Sequence, residues 1–290
     1  MLKATIKGIM QTLGFAPRAI TEKIDVFSIR HALRESHLTD WLKQLAAIAP
    51  DIVTQYSRPQ EWSYALELKM RGMHAFQVAM MLEALQPLPS HKITVVDIGD
   101  SAGTHMLYLK EITRGRLQVD TLSVNLDPRA VAKIKARGLE AILCRAEDLD
   151  LPGVDIGLFT SFEMVEHLHN PAIFFYRLAK KSSCRKILIT VPYVKTSRVG
   201  LQHVRHGSRE VIFAEDEHIF ELSPADWALL MRHSGWRVSH SEVYYQYPRK
   251  WPIISRLMAY YWRTRDFEGF WGAILERDTV FADCYQDWEA

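Results

Sequence analysis

The sequence contains few cysteines: Cys144, Cys184 and Cys284 are the three among its 290 residues. Because they lie far apart along the chain, they predict neither a disulfide framework nor a metal site of the Cys-x-x-Cys type. A reducing compartment is the natural setting for such a chain, so we expect a cytoplasmic protein.

Long apolar runs are also lacking. None approaches the ~18 residues of a membrane-spanning helix, and residues 1–7 lack the uninterrupted apolar stretch of a signal peptide. The apolar fraction of 48% is still enough for a sizeable buried core, which excludes a disordered or fibrous chain.

Neither sign of charge is in excess. Lys and Arg number 36, Asp and Glu number 34, and the formal net charge is +2. This balance opposes a generic binder of nucleic acids or of membrane surfaces. What the chain has instead is 12 histidines, several of them close to acidic residues.

The hydrophobic period changes near residue 90. The stretch from Trp62 to Leu85 repeats apolar residues at helical spacing, and Pro87 and Pro89 end it. From Ile93 onwards, short buried strands alternate with helices. We therefore predict a helical N-terminal extension over residues 1–90 and an α/β domain over residues 91–290.

The pattern of the second part predicts its topology. Runs of Val, Ile and Leu flanked by helices favour a doubly wound, mostly parallel sheet of seven strands. The last two strands depart from the βα rhythm and are expected to pair antiparallel at an edge. A sheet of this kind binds ligands beyond the carboxyl ends of its strands. We predict strands at 93–98, 121–126, 141–144, 155–160, 186–191, 236–246 and 270–277, with helices near 103–113, 128–137, 170–181 and 223–234.

The turn after the first predicted strand carries two glycines, Gly99 and Gly103. A backbone without Cβ atoms lets a ligand lie against the turn, and the helix that follows offers free N–H groups. The G-x-G-x-x-G fingerprint is missing because Ser101 stands at its second glycine, which disfavours a nicotinamide or flavin cofactor. A turn that only packs the helix is the alternative.

The next two strands also end in polar residues. Asp127 follows the second strand, where a carboxylate can accept hydrogen bonds from both ribose hydroxyls or cap the following helix. The third strand leads into the polar turn at residues 145–149, which can face an adenine edge. Together with the glycine turn, these residues predict a nucleoside pocket.

Five motifs along residues 90–245 resemble those of class I S-adenosylmethionine (SAM)-dependent methyltransferases: VVDIGDSAG, VNLDP, RAEDLDLP, FTSFEMVEHLHNP and ILITVPY. The resemblance implies a Rossmann-like methyltransferase fold with SAM as the cofactor. Gly99 and Gly103 would approach its methionine part, and Asp127 its ribose. The full set of cofactor residues that the resemblance implies is Asp97, Gly99, Gly103, Asp127, Ala146, Glu147 and Phe162, with Ala146 and Glu147 at the adenine and Phe162 beside the sulfonium.

Two positions depart from the pattern of the superfamily. Asp100 stands where a cysteine or small residue usually follows the first glycine. Arg145 stands where an acid often takes the adenine amino group, so that Glu147 or Asp148 would have to replace it.

An acidic and histidine cluster follows the fourth predicted strand. In a helix, Glu163, Glu166 and His167 would project from one side, and such residues are ligands for hard metal ions. This E-x-x-E-H pattern is similar to two branches of the superfamily, the ubiquinone-biosynthesis O-methyltransferases and the small-RNA terminal ribose methyltransferases. The resemblance implies Mg²⁺ held by Glu163, Glu166, His167 and His218. Without a metal, His167 or His169 would act as a general base.

Two insertions would shape the acceptor site. Residues 193–217 are rich in Lys, Arg and His, which suits an anionic group on the acceptor or a solvated loop. Residues 248–270 place Trp and Tyr beside Arg and Lys, which suits peripheral membrane contact or packing on the N-terminal helices.

The most consistent function is SAM-dependent O-methylation of a hydroxyl on a small molecule or glycan precursor. A sulfonium methyl is already activated, so an enzyme mainly aligns the reactants, and deprotonating an alcohol is the added difficulty that acids and histidines would meet. The alternatives are an RNA terminal ribose 2'-O-methyltransferase, which the near-neutral charge opposes, and a non-catalytic SAM-binding interaction module.

Overall fold

The computed structural model describes residues 17–55, 61–86 and 92–285. The predicted helix stop at Pro87 and Pro89, and the first residues of the predicted extension, lie outside the described residues. Cys144, Cys184 and Cys284 are free thiols. Among the described residues, no helix is both long and apolar enough to cross a membrane.

Three helices precede the sheet: α1 (Pro17–Glu35), α2 (Thr39–Ile48) and α3 (Tyr64–Leu85). The Ser63 hydroxyl starts α3 by accepting a hydrogen bond from the N–H of Leu66 at 3.1 Å. The sequence predicted α3 as amphipathic, but it is buried on most of its sides because it lies between α1, α2 and the strands of the sheet. This position lets α3 reach the edge of the sheet where the site lies.

The described residues form one sheet of seven strands in the order β3-β2-β1-β4-β5-β9-β8. The first five strands in this order pair parallel. β9 pairs antiparallel with β8, as predicted, and it also pairs antiparallel with β5. The strands are β1 (Lys92–Ile98), β2 (Gln118–Asn125), β3 (Glu140–Leu143), β4 (Leu158–Phe162), β5 (Lys186–Pro192), β8 (Trp236–Tyr245) and β9 (Gly269–Arg277), and a separate two-stranded ribbon consists of β6 (Arg198–Val199) and β7 (Phe220–Glu221).

Helices cover both faces of the sheet. Successive residues of a strand point to opposite faces, so Val95 of β1 packs in the core beneath α3, whereas Val96 packs in the core with Phe175 and Trp236. The helices that follow β1 are α4 (Thr104–Thr113), α5 (Pro128–Ala136), α6 (Pro171–Lys181), α7 (Gln202–Arg205), α8 (Pro224–His233) and α9 (Pro252–Arg265).

The late aromatic insertion forms α9, which packs on α1. The Trp262 indole N–H donates to the Ser28 hydroxyl at 2.9 Å, and the Tyr261 hydroxyl donates to the Asp25 carboxylate at 2.6 Å. The packing on the N-terminal helices is therefore present. Ile253 and Leu257 on α9 remain exposed, so membrane contact stays a prediction.

The turn between β1 and α4 is organised by Asp100. Its Oδ1 accepts hydrogen bonds from the N–H groups of Ala102 and Gly103 at 3.0 and 2.6 Å, and its Oδ2 accepts one from the Ser123 hydroxyl at 2.6 Å. Gly99 has φ +94°, and an added Cβ would lie 2.4 Å from Cγ of Met164. The acid at this unusual position therefore holds the turn while Gly99 allows its close approach to Met164.

Replacing Gly99 by alanine should destabilise the fold more than the same change at Gly115. Both glycines have positive φ, which costs an alanine about 1–2 kcal/mol. An added Cβ meets nothing within 4 Å at Gly115, but at Gly99 it overlaps Met164, which adds about 1–3 kcal/mol. Urea unfolding of Gly99→Ala and Gly115→Ala measures both losses, and equal losses would contradict the close contact.

Candidate functional site

A cavity of about 1020 Å³ opens at the carboxyl ends of β1, β2 and β4. Six of the seven predicted cofactor residues line it: Asp97, Gly99, Asp127, Ala146, Glu147 and Phe162. Gly103 does not. An added Cβ there would lie 2.5 Å from Leu139, so Gly103 serves the packing of α4, which was the alternative interpretation. The sheet therefore brings the separate motifs to one place.

Two buried carboxyl groups lie under the turn. Asp97 accepts a hydrogen bond from the Thr160 hydroxyl at 2.9 Å. Burial, and then the neighbouring Asp100, raise the pKa of Asp97 well above its usual range, and burial also raises the pKa of Asp100. A bound cation would relieve this cost by favouring the ionised carboxylates.

Asp127 caps α5. Its Oδ1 accepts a hydrogen bond from the N–H of Arg129 at 2.9 Å, and the Arg129 guanidinium binds its Oδ2 at 2.9 Å. The capping role expected from the sequence is therefore present, and both side chains line the cavity.

The turn after β3 is a single turn of 3₁₀ helix, Ala146–Asp148. The Arg145 guanidinium lies 3.8 Å from the carboxylates of both Glu147 and Asp148. The Glu147 carbonyl accepts a hydrogen bond from Arg177 at 2.7 Å. Arg145, which stands where the superfamily often has an acid, thus forms ion pairs with Glu147 and Asp148.

The acidic and histidine segment is not an α-helix. Glu163 has φ +49°, and one turn of 3₁₀ helix, Val165–His167, follows it. Because the positive φ of Glu163 is not helical, its side chain does not project beside Glu166 and His167 as it would in a helix. Ligand atoms of Glu166, His167 and His218 lie within 4.8 Å of one another, and Glu163 is not part of that group.

Glu166 is 1% exposed, and both of its carboxyl oxygens lack a hydrogen-bond partner among the described residues. Burial, and then the charge of Glu163, raise its pKa well above the usual range. Nδ1 of His167 lies 2.9 Å from the carbonyl oxygen of Glu217, and burial lowers the pKa of His167 to about 4. An exposed His169 lines the same cavity.

Glu163 belongs instead to a buried chain of hydrogen bonds. Nε2 of His105 lies 2.8 Å from Oε1 of Gln77, whose amide N–H donates to the Thr190 hydroxyl at 2.8 Å. The Thr190 hydroxyl in turn binds the Glu163 carboxyl, whose pKa burial raises to about 8. The chain ends against Phe162, whose ring centroid lies 4.4 Å from that of His105.

Helix α3 contributes to the cavity, which the sequence did not predict. Met70, His74 and Gln77 line its wall, and Nδ1 of the buried His74 has no hydrogen-bond partner among the described residues. A signal was present, because His74 and Gln77 are polar residues in the predominantly apolar stretch 72–82 of this helix. Only the packing of α3 over the sheet edge gives them a role.

The basic residues of the 193–217 insertion do not form the predicted anion site. Arg198 pairs with Glu221, and the Arg205 guanidinium donates to the Gly200 carbonyl at 2.7 Å. Of the six basic residues in the segment, only His203 lines the cavity. The insertion instead presents three acids to it: Glu215, Asp216 and Glu217.

No protein-family model matches the chain, and no curated protein matches its sequence. Among solved structures, geranyl diphosphate C-methyltransferase from Streptomyces coelicolor is 10% identical, with a TM-score of 0.54 over 81% of this chain and 91% of that one. The [4+2]-cyclase SpnF is 9% identical, with a TM-score of 0.52 over 83% and 94%. A Haloferax volcanii chain, described as a methyltransferase and solved with the Trm112 methyltransferase activator, is 16% identical, with a TM-score of 0.50 over 72% and 93%.

These likenesses establish the fold and not the reaction. The chain has the Rossmann-like fold of class I methyltransferases, with helices added at the N-terminal side. A protein named as a cyclase shares this fold, so the fold alone does not determine the reaction.

Replacing Glu163 by glutamine should stabilise the protein increasingly as the pH rises. The folded-state pKa of about 8 exceeds the ordinary value of 4.5, so folded wild-type protein loses stability between these two pH values while the variant does not. Thermal unfolding in EDTA should show nearly equal stability at pH 4.5 and a more stable variant at pH 8. The exposed Glu242→Gln is the control, and a difference for Glu163→Gln that does not change with pH would contradict the buried carboxyl.

Proposed function

We propose that this chain is a SAM-dependent methyltransferase that methylates a hydroxyl of a small molecule or glycan precursor. One observation carries the proposal: residues of all the nucleoside motifs, including Gly99, Asp127 and Glu147, line one cavity at the switch point of the sheet. When bound there, SAM would supply an activated methyl group for in-line transfer.

The cavity suits a cationic cofactor with a nucleoside. The Asp127 carboxylate would bind the ribose while it continues to cap α5, and Ala146 and Glu147 would contact the adenine. Gly99, which has a positive φ and no side chain, would let the backbone approach the methionine part. Asp97 would favour binding of the positively charged part of SAM. Among the described residues, no cation lies within hydrogen-bond reach of its buried carboxyl. Phe162 would line the space beside the reacting methyl group.

A divalent metal ion fits Glu166, His167 and His218. The unpartnered oxygens of Glu166 are the observation that supports it, since a buried carboxylate without partners is costly. The metal would lower the pKa of the acceptor hydroxyl. Mg²⁺ was expected for a set that included Glu163, but two imidazoles and one carboxylate suit Mn²⁺, Fe²⁺ or Zn²⁺ equally or better. In a metal-free reaction, His167 or His169 would take the hydroxyl proton.

Acids at and beside the cavity argue against both alternative functions. A ribose methyltransferase acting on RNA would place phosphates near Glu215 and Asp216, which would repel them. A non-catalytic module has no use for a costly buried carboxyl such as that of Glu166.

We propose a cytoplasmic setting for the protein. A vesicle flotation assay decides whether the exposed side of α9 binds membranes.

Asp127→Ala should weaken SAM binding about 10-fold or more, because a carboxylate hydrogen bond to ribose contributes about 1.5–3 kcal/mol. Calorimetry with SAM measures the change. Asn170→Ala removes a comparable helix cap, at α6, outside the cavity, and should leave the affinity unchanged. Tight binding of NAD without binding of SAM by the wild type would overturn the proposal.

Glu166→Gln should abolish binding of one Mn²⁺ or Zn²⁺ per chain in calorimetric titrations with the metal alone, because it removes the ligand charge. Glu242→Gln, in a second group formed by Glu83, His240 and Glu242, is the control for metal bound elsewhere. If Glu166→Gln binds the metal as tightly as the wild type, the proposed metal site is wrong.

A further inference from the structure

Both histidines of the candidate metal site have a hydrogen-bond acceptor at Nδ1. The Glu217 carbonyl oxygen lies 2.9 Å from Nδ1 of His167, and the Glu221 carboxylate lies 3.5 Å from Nδ1 of His218. Carbonyl and carboxylate oxygens only accept, so in a neutral imidazole the proton is on Nδ1. The lone pair of each ring is then on Nε2, and Nε2 of His167 lies 3.9 Å from Glu166.

Glu221 is itself held in place. It lies on β7 directly opposite Arg198 on β6, it is 5% exposed, and the Arg198 guanidinium pairs with its second oxygen. The two oxygens of Glu221 thus face different partners, the Arg198 guanidinium on one side and the His218 ring on the other.

The ribbon of β6 and β7 also fixes the backbone around His218. The carbonyl of His218 accepts a hydrogen bond from the N–H of Leu201 at 2.8 Å, and the N–H of Ile219 donates to the carbonyl of Glu166 at 2.8 Å. A Cβ added at Gly200 would lie 2.1 Å from the carbonyl oxygen of His218, so the backbone segments at Gly200 and His218 are in close contact. These contacts bring His218 to a cluster whose other members lie about 50 residues earlier in the chain.

We propose that Glu221, held by Arg198, is a positioning residue that orients His218 and keeps its Nε2 available to the metal ion. This inference rests on the metal site proposed above. A carboxylate that accepts from a ligand histidine fixes the ring, selects the tautomer and makes the nitrogen a better ligand. Arg198, which the sequence placed among the residues for an anionic acceptor, then acts on the metal site through Glu221.

The test titrates wild type, Glu221→Gln and Glu221→Ala with Mn²⁺ and with Zn²⁺ by calorimetry. We expect affinity to fall about 10- to 100-fold, because that is the usual effect of removing such a partner. Glu221→Gln should lose less than Glu221→Ala, since the amide oxygen still accepts a hydrogen bond from Nδ1. Nitrogen NMR of the metal-free proteins reads the tautomer of His218 directly, and Glu221→Ala should shift it away from the Nδ1–H form.

Asp226→Asn is the matched control for loosening of the same region. Asp226 binds the hydroxyls of Ser197 and Ser223 at the ends of the ribbon but does not contact His218. The metal affinity of Asp226→Asn should equal that of the wild type. If it weakens as much as the Glu221 variants, ribbon anchoring explains the effect and the inference is wrong.

The remaining outcomes separate the inference from the metal site. Wild-type affinity and an unchanged His218 tautomer in both Glu221 variants would overturn the inference alone. Failure of the wild type to bind either metal would overturn the metal site and the inference together, and SAM binding would still test the methyltransferase proposal. If circular dichroism shows that Glu221→Ala is unfolded, only Glu221→Gln is compared with the wild type.

Discussion

The parallel pairing of β1 with both β2 and β4 is the constraint on which the site depends. Because the chain order reverses at β1, the helices that follow β1 and β4 lie on opposite faces and leave a crevice at the carboxyl edge. The N–H of Gly99 donates to the carbonyl of Val124 at 2.8 Å, which ties the glycine turn to the end of β2. Every motif that ends at this edge therefore faces the same cavity.

Buried acids lie at and beside that cavity. Burial raises the pKa of Asp97, Glu163 and Glu166, and each of these groups would become easier to ionise beside a positive charge. A cationic cofactor near Asp97 and a metal ion at Glu166 would both supply such a charge. Both proposed ligands thus depend on one property of the fold, which is that it buries carboxyl groups at and beside the cavity.

The features that the sequence predicted best are those with a local signal. The strand and helix boundaries at the sheet agree within a few residues, because buried parallel strands are continuous apolar runs and helix caps such as Asp127 are local features. Three features were not determined by local sequence. The positive φ of Glu163 rules out the helical arrangement that would have placed it beside Glu166 and His167, and Gly103 packs a helix, which was one of its two expected roles. The pairing of Arg198 with Glu221 depends on the ribbon of β6 and β7.

The order of apolar runs, glycines and acids was enough to determine the doubly wound sheet and the location of the cavity, since these follow from periodicity and from the geometry of parallel strands. Tertiary structure alone decided which side chains meet there. His218 reaches Glu166 and His167 through the ribbon, and Gln77 reaches Thr190 because α3 packs across the sheet. Such contacts depend on the relative placement of elements that are distant in the chain, and local sequence carries no record of that placement.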